Sequence, residues 1–440
     1  MKPKNLQFNL IQLGEEVNLK PEHIELIEKE PIDVLIKYID LTDKNLNREG
    51  IKQITKDEDH EELRYCVRSI LDNIPWIRKI FIVMPNEKVR YFKPIEEIKD
   101  RIVYVKDKDL LGFESANIHA FHFFLWNMTN FGLSENFILM DDDYFIGKPI
   151  NKTQFFYYDE KEKKVLPSIL SDQFSELDKS YVYREYEKLF NKLQKIDPYT
   201  SDGWSFHTLS AMKLMLDNFE APIIEACFTH NAISLNLKDI KEIFEFIKEK
   251  YKYANNTLYN KTRDIFNLQS QSLFNTYLLN VKKRKINMIP RKFIDLKDLK
   301  KIKIKDLEIE LFVINTSGEN TYSPEEFDFE KKMLEEKYNK TTPYEIISKE
   351  EENNKTINNL TGNEDINKKF DDLKNQVQMN IKKLEKKYSN MFICSNLTLI
   401  LLCIILVIYI FNNKHSLSNK KIFKNRNKES YLAEENKLFK

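Results

Sequence analysis

The chain has few of the residues that mark several common protein classes. Its 440 residues include only four cysteines, which excludes a disulfide-framed secreted scaffold and a cysteine-rich zinc module. Only 8 glycines are present, and they form no Gly-rich phosphate-binding loop. Lys and Arg number 70 against 69 Asp and Glu, and this balance argues against nucleic acid as a partner. The N-terminus has no uninterrupted apolar segment, so no secretory signal peptide is predicted.

The composition is that of a folded protein. Hydrophobic residues make up 42% of the chain and aromatic residues 12%, which is enough for a sizeable core. The length allows two or three domains of about 150 residues each. Outside the apolar C-terminal segment described next, Cys66 and Cys227 are either one disulfide or two buried thiols. The helical pattern around Cys66 favours two thiols.

A run without charged residues, from Met391 to Phe411, predicts a transmembrane helix near the C-terminus. About 20 apolar residues are enough to cross a bilayer, and the alternative is a buried core helix. Lysines flank the run on both sides, so the positive-inside rule does not choose an orientation. Before the run, apolar residues at spacings of three and four over 369–390 predict a helical stalk. This stalk either self-associates or stands alone in solvent.

Short apolar runs alternate with helical patterns in the first part of the chain. The predicted strands are 32–39, 79–84, 102–105 and 137–140, and the predicted helices between them are 61–74 and 115–128. This alternation is typical of an α/β fold with a mainly parallel sheet. Two further helices are predicted at 237–251 and 327–338, the second after the cap-like order Ser323-Pro324-Glu325-Glu326.

Three consecutive carboxylates, Asp141, Asp142 and Asp143, follow the predicted strand 137–140. Open α/β sheets bind ligands at the carboxyl ends of their strands. Adjacent carboxylates repel one another unless a cation lies between them. Mg²⁺ or Mn²⁺ is the expected cation, because both prefer carboxylate oxygens and also bind substrate phosphates. The alternative is an acidic turn that caps the next helix.

Two arginines, Arg64 and Arg68, lie one helical turn apart beside the apolar face of the helix 61–74. A guanidinium fork matches diphosphate oxygens, so both are candidates for substrate binding. The alternative is a pair of salt bridges to the nearby acids Glu61, Glu62 or Asp72.

Three histidines have two interpretations each. His230 follows a partly apolar stretch and is either a packed side chain or a catalyst with a pKa near neutrality. His119 and His122 share a helix face and would be metal ligands only together with a third ligand.

Two linked stretches resemble the second conserved region of the Stealth family. They read ELRYCVRSILDNIPWIRKIFIV from Glu62 to Val83 and GLSENFILMDDDYFIGKPI from Gly132 to Ile150. The family pattern is close to ELRYSLRSIEKYAPWIRKIYIV and GLSEhFIYhNDDhFhG, where h is a hydrophobic residue. This family includes bacterial capsule sugar-phosphate polymerases and the eukaryotic N-acetylglucosamine-1-phosphotransferase α/β subunit.

Weaker similarity to the other Stealth regions extends over residues 30–346. DVLIKYIDLTD, from Asp33 to Asp43, resembles the first region, and His230 and Arg263 match the third. LFVIN, which ends at Asn315, and the later TTPYE resemble the fourth.

The resemblance implies a Rossmann-like, nucleotide-diphospho-sugar transferase type of fold over 31–346. It implies a transferase that moves a sugar-1-phosphate from a UDP-sugar, typically UDP-N-acetylglucosamine, to a hydroxyl of a glycan or glycoprotein, with release of UMP. The predicted division of the chain is an extension at 1–30, this domain, a linker and stalk at 347–390, a membrane span at 391–411 and a basic tail at 412–440. Such an enzyme would be a single-pass membrane protein, of the Golgi or secretory pathway if eukaryotic, and its stalk would allow a homo-oligomer.

The same resemblance implies roles for individual residues, carried over motif by motif. The implied catalytic residues are His230 as general base, Asp143, Asp33 and Arg263. The implied substrate-binding residues are Arg64, Arg68, Asp40, Asn117 and Asn315. The implied ligands of Mg²⁺ or Mn²⁺ are Asp142 and Asp143, together with Asp141.

Two other functions stay open. A nucleotide-sugar glycosyltransferase also uses an acidic cluster after a strand, and it would release UDP instead of UMP. An inactive, membrane-tethered binding relative is the third hypothesis. It is favoured by Leu41, His119 and Thr316, which stand where the family has Gly, Glu and Asp.

Overall fold

The computed structural model describes residues 19–54, 59, 61–171, 174–220, 222–226, 230, 232–316 and 322–346. The predicted linker, stalk, transmembrane helix and tail, from residue 347 onwards, lie outside these ranges and stay predictions. Among the helices of the described ranges, none is both long enough and apolar enough to cross a membrane. Cys66 is a buried free thiol, as its helical setting predicted, whereas Cys227 is not among the described residues.

Strands and helices alternate in the first part of the described chain and mix afterwards. The strands are β1 (Asp33–Lys37), β2 (Ile80–Met84), β3 (Ile102–Lys106), β4 (Asn136–Asp141), β5 (Tyr144–Ile146), β6 (Phe156–Asp159), β7 (Lys164–Pro167), β8 (Ile169–Leu170), β9 (Phe174–Glu176), β10 (Ile224–Ala226), β11 (Ile233–Asn236), β12 (Ile286–Asn287), β13 (Arg291–Asp295) and β14 (Leu311–Asn315). The α-helices are α1 (Pro21–Lys29), α2 (Glu62–Asn73), α3 (Ile95–Ile98), α4 (Asp107–Leu111), α5 (Ile118–Phe123), α6 (Lys152–Phe155), α7 (Lys179–Phe190), α8 (Ser201–Asn218), α9 (Leu237–Lys250), α10 (Ala254–Tyr259), α11 (Ser270–Asn280) and α12 (Pro324–Lys337). Short 3-10 helices occupy Leu125–Phe131, Leu193–Lys195, Leu296–Lys301 and Ile304–Leu307.

Five strands form the main sheet in the order β11-β4-β1-β2-β3. β4, β1, β2 and β3 run parallel, and β11 pairs antiparallel with β4 at the edge. The prediction of an α/β fold with a mainly parallel sheet is therefore confirmed. The chain passes from β1 to β2 on one side and later returns as β4 on the other side of β1. A reversal of strand order of this kind opens a crevice at the carboxyl ends of the two central strands, where such sheets bind ligands.

The central strands are buried along their length, which explains why they appear as apolar runs instead of alternating patterns. Every residue of β1 and β2 is buried. Helix α2 joins these two strands and buries a continuous segment from Leu63 to Ile70. Its Asn73 Nδ2 donates to the carbonyl of Ile146 at 2.7 Å, so α2 also fixes the strand that follows the acidic cluster.

The predicted helix 115–128 is wrong in its bounds. The Ser115 hydroxyl accepts a hydrogen bond from the Asn117 N–H at 3.0 Å, and the Asn117 side chain accepts one from the His119 N–H at 3.1 Å. Ser and Asn side chains that bond to the backbone in this way begin a helix instead of continuing one. As a result α5 starts at Ile118, and the chain then tightens into the 3-10 helix Leu125–Phe131 before Gly132.

A smaller sheet has three strands in the order β13-β14-β5. Its strand β5 follows the acidic cluster in the sequence. β5 begins directly after Asp143, and β14 pairs antiparallel with it, Val313 opposite Tyr144. The LFVIN motif is therefore a strand whose last residue, Asn315, comes close to the end of β4.

Arg68 on α2 forms a buried ion pair with Glu345, which lies near the end of the described part of the chain. Its Nε lies 2.9 Å from Glu345 Oε1, its Nη2 lies 2.6 Å from Glu345 Oε2, and its Nη1 donates to the Tyr338 carbonyl at 2.9 Å. Both charged side chains are buried. Arg68 is therefore saturated by structural contacts, and the predicted role in substrate binding does not fit its position.

Replacing Arg68 by Met would remove the main ionic partner of the buried Glu345 carboxylate. We expect the free energy of unfolding to fall by about 3–5 kcal/mol, as for other broken buried ion pairs. The double variant Arg68→Met/Glu345→Met removes both charges and should recover much of that loss. Urea unfolding of the full chain measures both, with the exposed Arg184→Met on α7 as control. An Arg68→Met variant as stable as the control would show that the pair contributes nothing.

Candidate active site

The acidic cluster lies at the carboxyl end of β4, in the crevice where the strand order reverses. Asp141 is the last residue of β4, and Asp142 and Asp143 form the turn that leads into β5. The parallel register pairs Asp141 with Lys37, the last residue of β1. The ends of both central strands therefore meet at this point, as the sequence predicted for the carboxylates.

Three adjoining cavities form one cleft around this point. The central cavity, about 370 Å³, contains Asp141, Asp142, Asp143 and Lys37 in its wall. A neighbouring cavity of about 490 Å³ shares Asp141 and His230 with it. A third of about 250 Å³ shares Asp142 with the central one. Volumes of this size suit a small organic ligand, and the shared residues make the cleft long enough for an extended one.

The carboxylates of the cluster are crowded and poorly solvated. Burial raises the pKa of Asp141 to about 6, although Tyr144 and Lys37 act in the opposite direction. Burial and the neighbouring charges of Glu62, Asp141 and Asp142 raise the pKa of Asp143 well above its usual range. The ionised form of these carboxylates is therefore disfavoured, and a positive charge beside them would favour it.

This donor set fits a divalent cation only if groups from outside the protein complete its coordination shell. Within the described ranges, no group of three or more His, Cys, Asp or Glu side chains is arranged to hold a metal ion by itself. Mg²⁺ is usually bound by only one or two carboxylates, with substrate phosphates and water completing its shell. Two carboxylates of the cluster together with a diphosphate would satisfy that requirement, and the crowded negative charge would be neutralised.

A cation faces the carboxylates from β1. Lys37 Nζ lies 3.5 Å from Asp107 Oδ2, and Asp107 is bound in addition by both terminal nitrogens of Arg48. The side chains of Lys37 and Arg48 are each about one-tenth exposed. The two positive charges therefore exceed the single negative charge of Asp107.

The larger cavity has an aromatic and cationic wall. The rings of Trp204 and His230 are nearly parallel, with centroids 6.1 Å apart. The Arg263 guanidinium lies over Trp204 at 5.5 Å and over Tyr199 at 4.9 Å. Burial and the charge of Arg263 lower the pKa of His230. At neutral pH the imidazole is therefore uncharged, and one ring nitrogen is free of a proton.

Three more histidines lie in or beside the wall of this cavity. His122 Nδ1 is 2.7 Å from Ser270 Oγ, and the rings of His119 and His207 are 5.3 Å apart. Burial lowers the pKa of His122 to about 3 and that of His207 to about 4, and it places the pKa of His119 well below its usual range. Such weakly basic imidazoles do not take up protons at neutral pH. They offer neutral hydrogen-bonding groups instead.

Most of the residues implied by the resemblance meet in this cleft. Those that line it are Asp40, Asn117, Asp141, Asp142, Asp143, His230, Arg263 and Asn315. They come from the ends of β1, β4 and β14, from the start of α5, and from the segments before β11 and α11 that contain His230 and Arg263.

Asp33, one of the implied catalytic residues, lies away from the cleft. It is the first residue of β1, so it lies at the opposite end of the strand from Lys37 and the acidic cluster. Its carboxylate accepts hydrogen bonds from Arg78 Nε at 2.9 Å and from the Ser134 N–H at 2.7 Å. A strand advances about 3.3 Å per residue, so the length of β1 separates Asp33 from the acidic cluster. The predicted catalytic role of Asp33 does not fit this position.

Arg64 is engaged in the salt bridge that was its alternative interpretation. Its Nη1 lies 2.9 Å from Glu61 Oε2, its Nε lies 3.7 Å from Glu345, and its guanidinium lies over the Tyr91 ring at 5.2 Å. These contacts hold Arg64 beside Arg68, and Arg64 does not line the three cavities described above.

Sequence reasoning missed several residues of the cleft. Lys37 had a usable signal, since it is a charged residue within the mostly apolar run of the predicted strand 32–39. Trp204, Tyr199 and Gln271 had none, because they come from helices or loops whose position depends on the tertiary structure.

The segment that contains the acidic cluster is similar to a known protein family. Residues 56–164 match the model of the Stealth protein conserved region 2. The chain carries a Stealth region. This range contains α2, β2, β4 and the Asp141–Asp143 turn, and so confirms the Stealth resemblance for the second conserved region. The first, third and fourth regions stay predictions.

Parts of the chain are also similar to curated proteins. A capsular polysaccharide phosphotransferase of Actinobacillus suis is 37% identical over 106 residues, which is 23% of this chain and 28% of that protein. A capsular polysaccharide phosphotransferase of Neisseria meningitidis serogroup B is 28% identical over 172 residues, 35% of this chain and 44% of that protein. The chain thus spans less than half the length of either relative.

Solved structures with some likeness are sugar transferases of low sequence identity. The galactosyltransferase LgtC, in complex with donor and acceptor sugar analogues, has a TM-score of 0.34 at 10% identity, over 72% of this chain and 98% of that one. Mouse xyloside xylosyltransferase 1 has a TM-score of 0.29 at 11% identity, over 65% of this chain and 98% of that one. These scores are too low to bear on the Stealth site.

The raised pKa of Asp141 predicts a pH-dependent stability difference. Between about pH 4 and pH 6, Asp141 is protonated in the folded protein and ionised in the unfolded chain. The free energy of unfolding of wild type therefore decreases as the pH rises through this range. Asp141→Asn is neutral at every pH. We expect the free energy of unfolding of Asp141→Asn, relative to that of wild type, to rise by up to about 3 kcal/mol between pH 4 and pH 7. This is the free energy that corresponds to a pKa difference of about two between the folded and unfolded states.

Urea unfolding of the full chain in metal-free buffer at a series of pH values measures this difference. The exposed Asp109→Asn on α4 is the control and should follow wild type. A difference between Asp141→Asn and wild type that does not change from pH 4 to pH 7 would contradict the burial of this carboxylate.

Proposed function

We propose that this protein is a membrane-anchored phosphotransferase that moves a sugar-1-phosphate from a nucleoside diphosphate sugar to a hydroxyl of a glycan or glycoprotein. The donor would be a UDP-sugar, with N-acetylglucosamine-1-phosphate as the transferred group and UMP as the product. The similarity of residues 56–164 to Stealth conserved region 2, and of part of the chain to capsular polysaccharide phosphotransferases, supports the reaction class.

The observation that carries the proposal is the crowding of three carboxylates opposite a buried lysine at the strand-order reversal. Asp142 and Asp143 would hold Mg²⁺ or Mn²⁺, with Asp141 beside them, and the ion would neutralise charge on the non-bridging phosphate oxygens. Phosphoryl transfer depends mainly on such neutralisation and on positioning. The raised pKa values in the cluster indicate that a positive charge there would be strongly favoured.

The remaining chemistry falls to the larger cavity. In the proposed reaction the acceptor oxygen forms a bond to the β-phosphorus, and the bond from that phosphorus to the bridging oxygen breaks, so UMP leaves with the electron pair. The proton of the acceptor hydroxyl passes to His230, whose lowered pKa keeps it neutral and able to accept. A loose transition state needs only modest help from a base. Arg263 would balance phosphate charge from the same wall.

Asp142→Asn tests the proposal most directly. We expect a loss of at least about 10²-fold in kcat/KM for Mg²⁺-dependent UMP release from UDP-N-acetylglucosamine, because charge stabilisation of the transition state is removed. The exposed Asp109→Asn is the matched control and should match wild type.

The products separate the proposal from its alternatives. Equal turnover by Asp142→Asn and wild type would exclude the proposed site. Release of UDP instead of UMP by the wild-type protein would identify glycosyl transfer. Tight binding of the UDP-sugar with no product at all would identify an inactive binding relative.

The membrane anchor is proposed from the sequence alone, on the charge-free run from Met391 to Phe411. We expect the full chain to stay in the membrane fraction after alkaline carbonate extraction, because about 20 apolar residues insert stably into a bilayer. A variant that lacks 391–411 should be released to the supernatant. Release of the full chain under the same conditions would overturn the anchor.

A further inference from the structure

Lys37 is a buried lysine that lines the central cavity of the cleft and shares its ion-pair partner with an arginine. It ends β1, a strand of which every residue is buried, and Lys37 itself is 9% exposed. Asp107 lies 3.5 Å away, but Arg48 already binds both oxygens of that carboxylate. An ammonium has three N–H donors, and burying it without partners is costly. In the described part of the chain, Asp107 is the only hydrogen-bond partner of the Lys37 ammonium group.

The rest of its surroundings direct Lys37 towards the central cavity. The Phe121 ring covers one side of the ammonium, with Nζ 5.1 Å from the ring centroid. The cavity of about 370 Å³ lies on another side, with the Asp141–Asp143 turn in its wall.

A second donor faces the same cavity. Asn117 is 1% exposed and lines this cavity. Its Oδ1 accepts a hydrogen bond from the His119 N–H, so it begins α5, while its Nδ2 has no hydrogen-bond partner among the described residues. Buried amide N–H groups are nearly always bonded, so this one marks the place of a missing acceptor.

The lining of the cavity includes groups of opposite character. Lys37 and Asn117 provide hydrogen-bond donors, and Asp142 and Asp143 provide carboxylates. A bare anion would be repelled by the carboxylates, and a bare divalent cation would be repelled by Lys37. A diphosphate with a bound Mg²⁺ would suit both kinds of group, since its anionic oxygens can bind the donors while the metal ion binds the carboxylates.

We propose that Lys37 Nζ and Asn117 Nδ2 bind the oxygens of the donor diphosphate, in the same cavity as the carboxylates that would hold its metal ion. This inference rests on the proposed function for the identity of the donor. It gives Lys37 the phosphate-binding role that the sequence assigned to Arg64 and Arg68, which are engaged elsewhere.

Binding of inorganic pyrophosphate in the presence of Mg²⁺, measured by calorimetry, tests the proposal without assuming a base or a sugar. We expect Lys37→Met to weaken binding by about 10- to 100-fold, the usual effect of losing a charged hydrogen bond. Lys37→Arg keeps the charge and should recover part of the affinity. Thermal unfolding of each variant shows whether it is folded.

Asn117→Asp is the second variant, in case Lys37→Met does not fold. It keeps the oxygen that begins α5 and replaces the Nδ2 donor by a carboxylate oxygen, so pyrophosphate binding should also fall by at least about tenfold. Lys152→Met is the matched control. Lys152 is a buried lysine at 4% exposure that donates to the carbonyls of Glu28 and Glu30, away from the cleft.

The proposal is overturned if wild type does not bind pyrophosphate, if Lys37→Met or Asn117→Asp binds it as wild type does, or if Lys152→Met weakens binding to the same extent. The UMP assay on wild type separates this result from the proposed function. Loss of pyrophosphate binding in Lys37→Met without UMP release by wild type would keep the subsite and reject the transfer. UMP release by wild type with unchanged pyrophosphate binding in Lys37→Met would keep the proposed transfer and reject the subsite.

Discussion

The parallel pairing of β1 with β4 is the constraint on which the site depends. The register that places Leu35 beside Leu139 in the core also places Lys37 beside Asp141 at the edge. A slip of one residue would exchange the two faces of β1 and take the lysine out of the cleft. Core packing and site geometry are therefore set by the same hydrogen-bond ladder, and neither can change without the other.

Burial gives the cleft its electrostatic character. It raises the pKa of Asp141 and Asp143 and lowers that of His230, so the carboxylates demand a cation while the imidazole stays neutral. Lys37 and Arg263 lie in the two larger cavities, which meet at Asp141 and His230. The cleft thus holds charges of both signs in fixed positions. Such charges stabilise the transition state of phosphoryl transfer effectively, because the folded protein already orients them and they do not need to reorganise during the reaction.

Local patterns predicted a good part of this. The bounds of α2, β2 and β4 lie within one residue of the predicted ones, because helical spacing and apolar runs are visible in a short window. The acidic cluster was recognisable because it directly follows such a run. Arg68 was not, because its partner Glu345 is 277 positions away and nothing near either residue indicates the pair. Asp33 and Asp40 lie in one motif, yet the length of β1 separates them.

The sequence by itself determined the α/β class, the position of the carboxylates after a central strand and the Stealth conserved region 2, since each depends on residues that are neighbours in the chain. Only the tertiary structure decided which cations face those carboxylates. Strand register brings Lys37 to the cleft, and a distant ion pair takes Arg68 away from it. Both are contacts between remote segments, which a one-dimensional pattern does not encode.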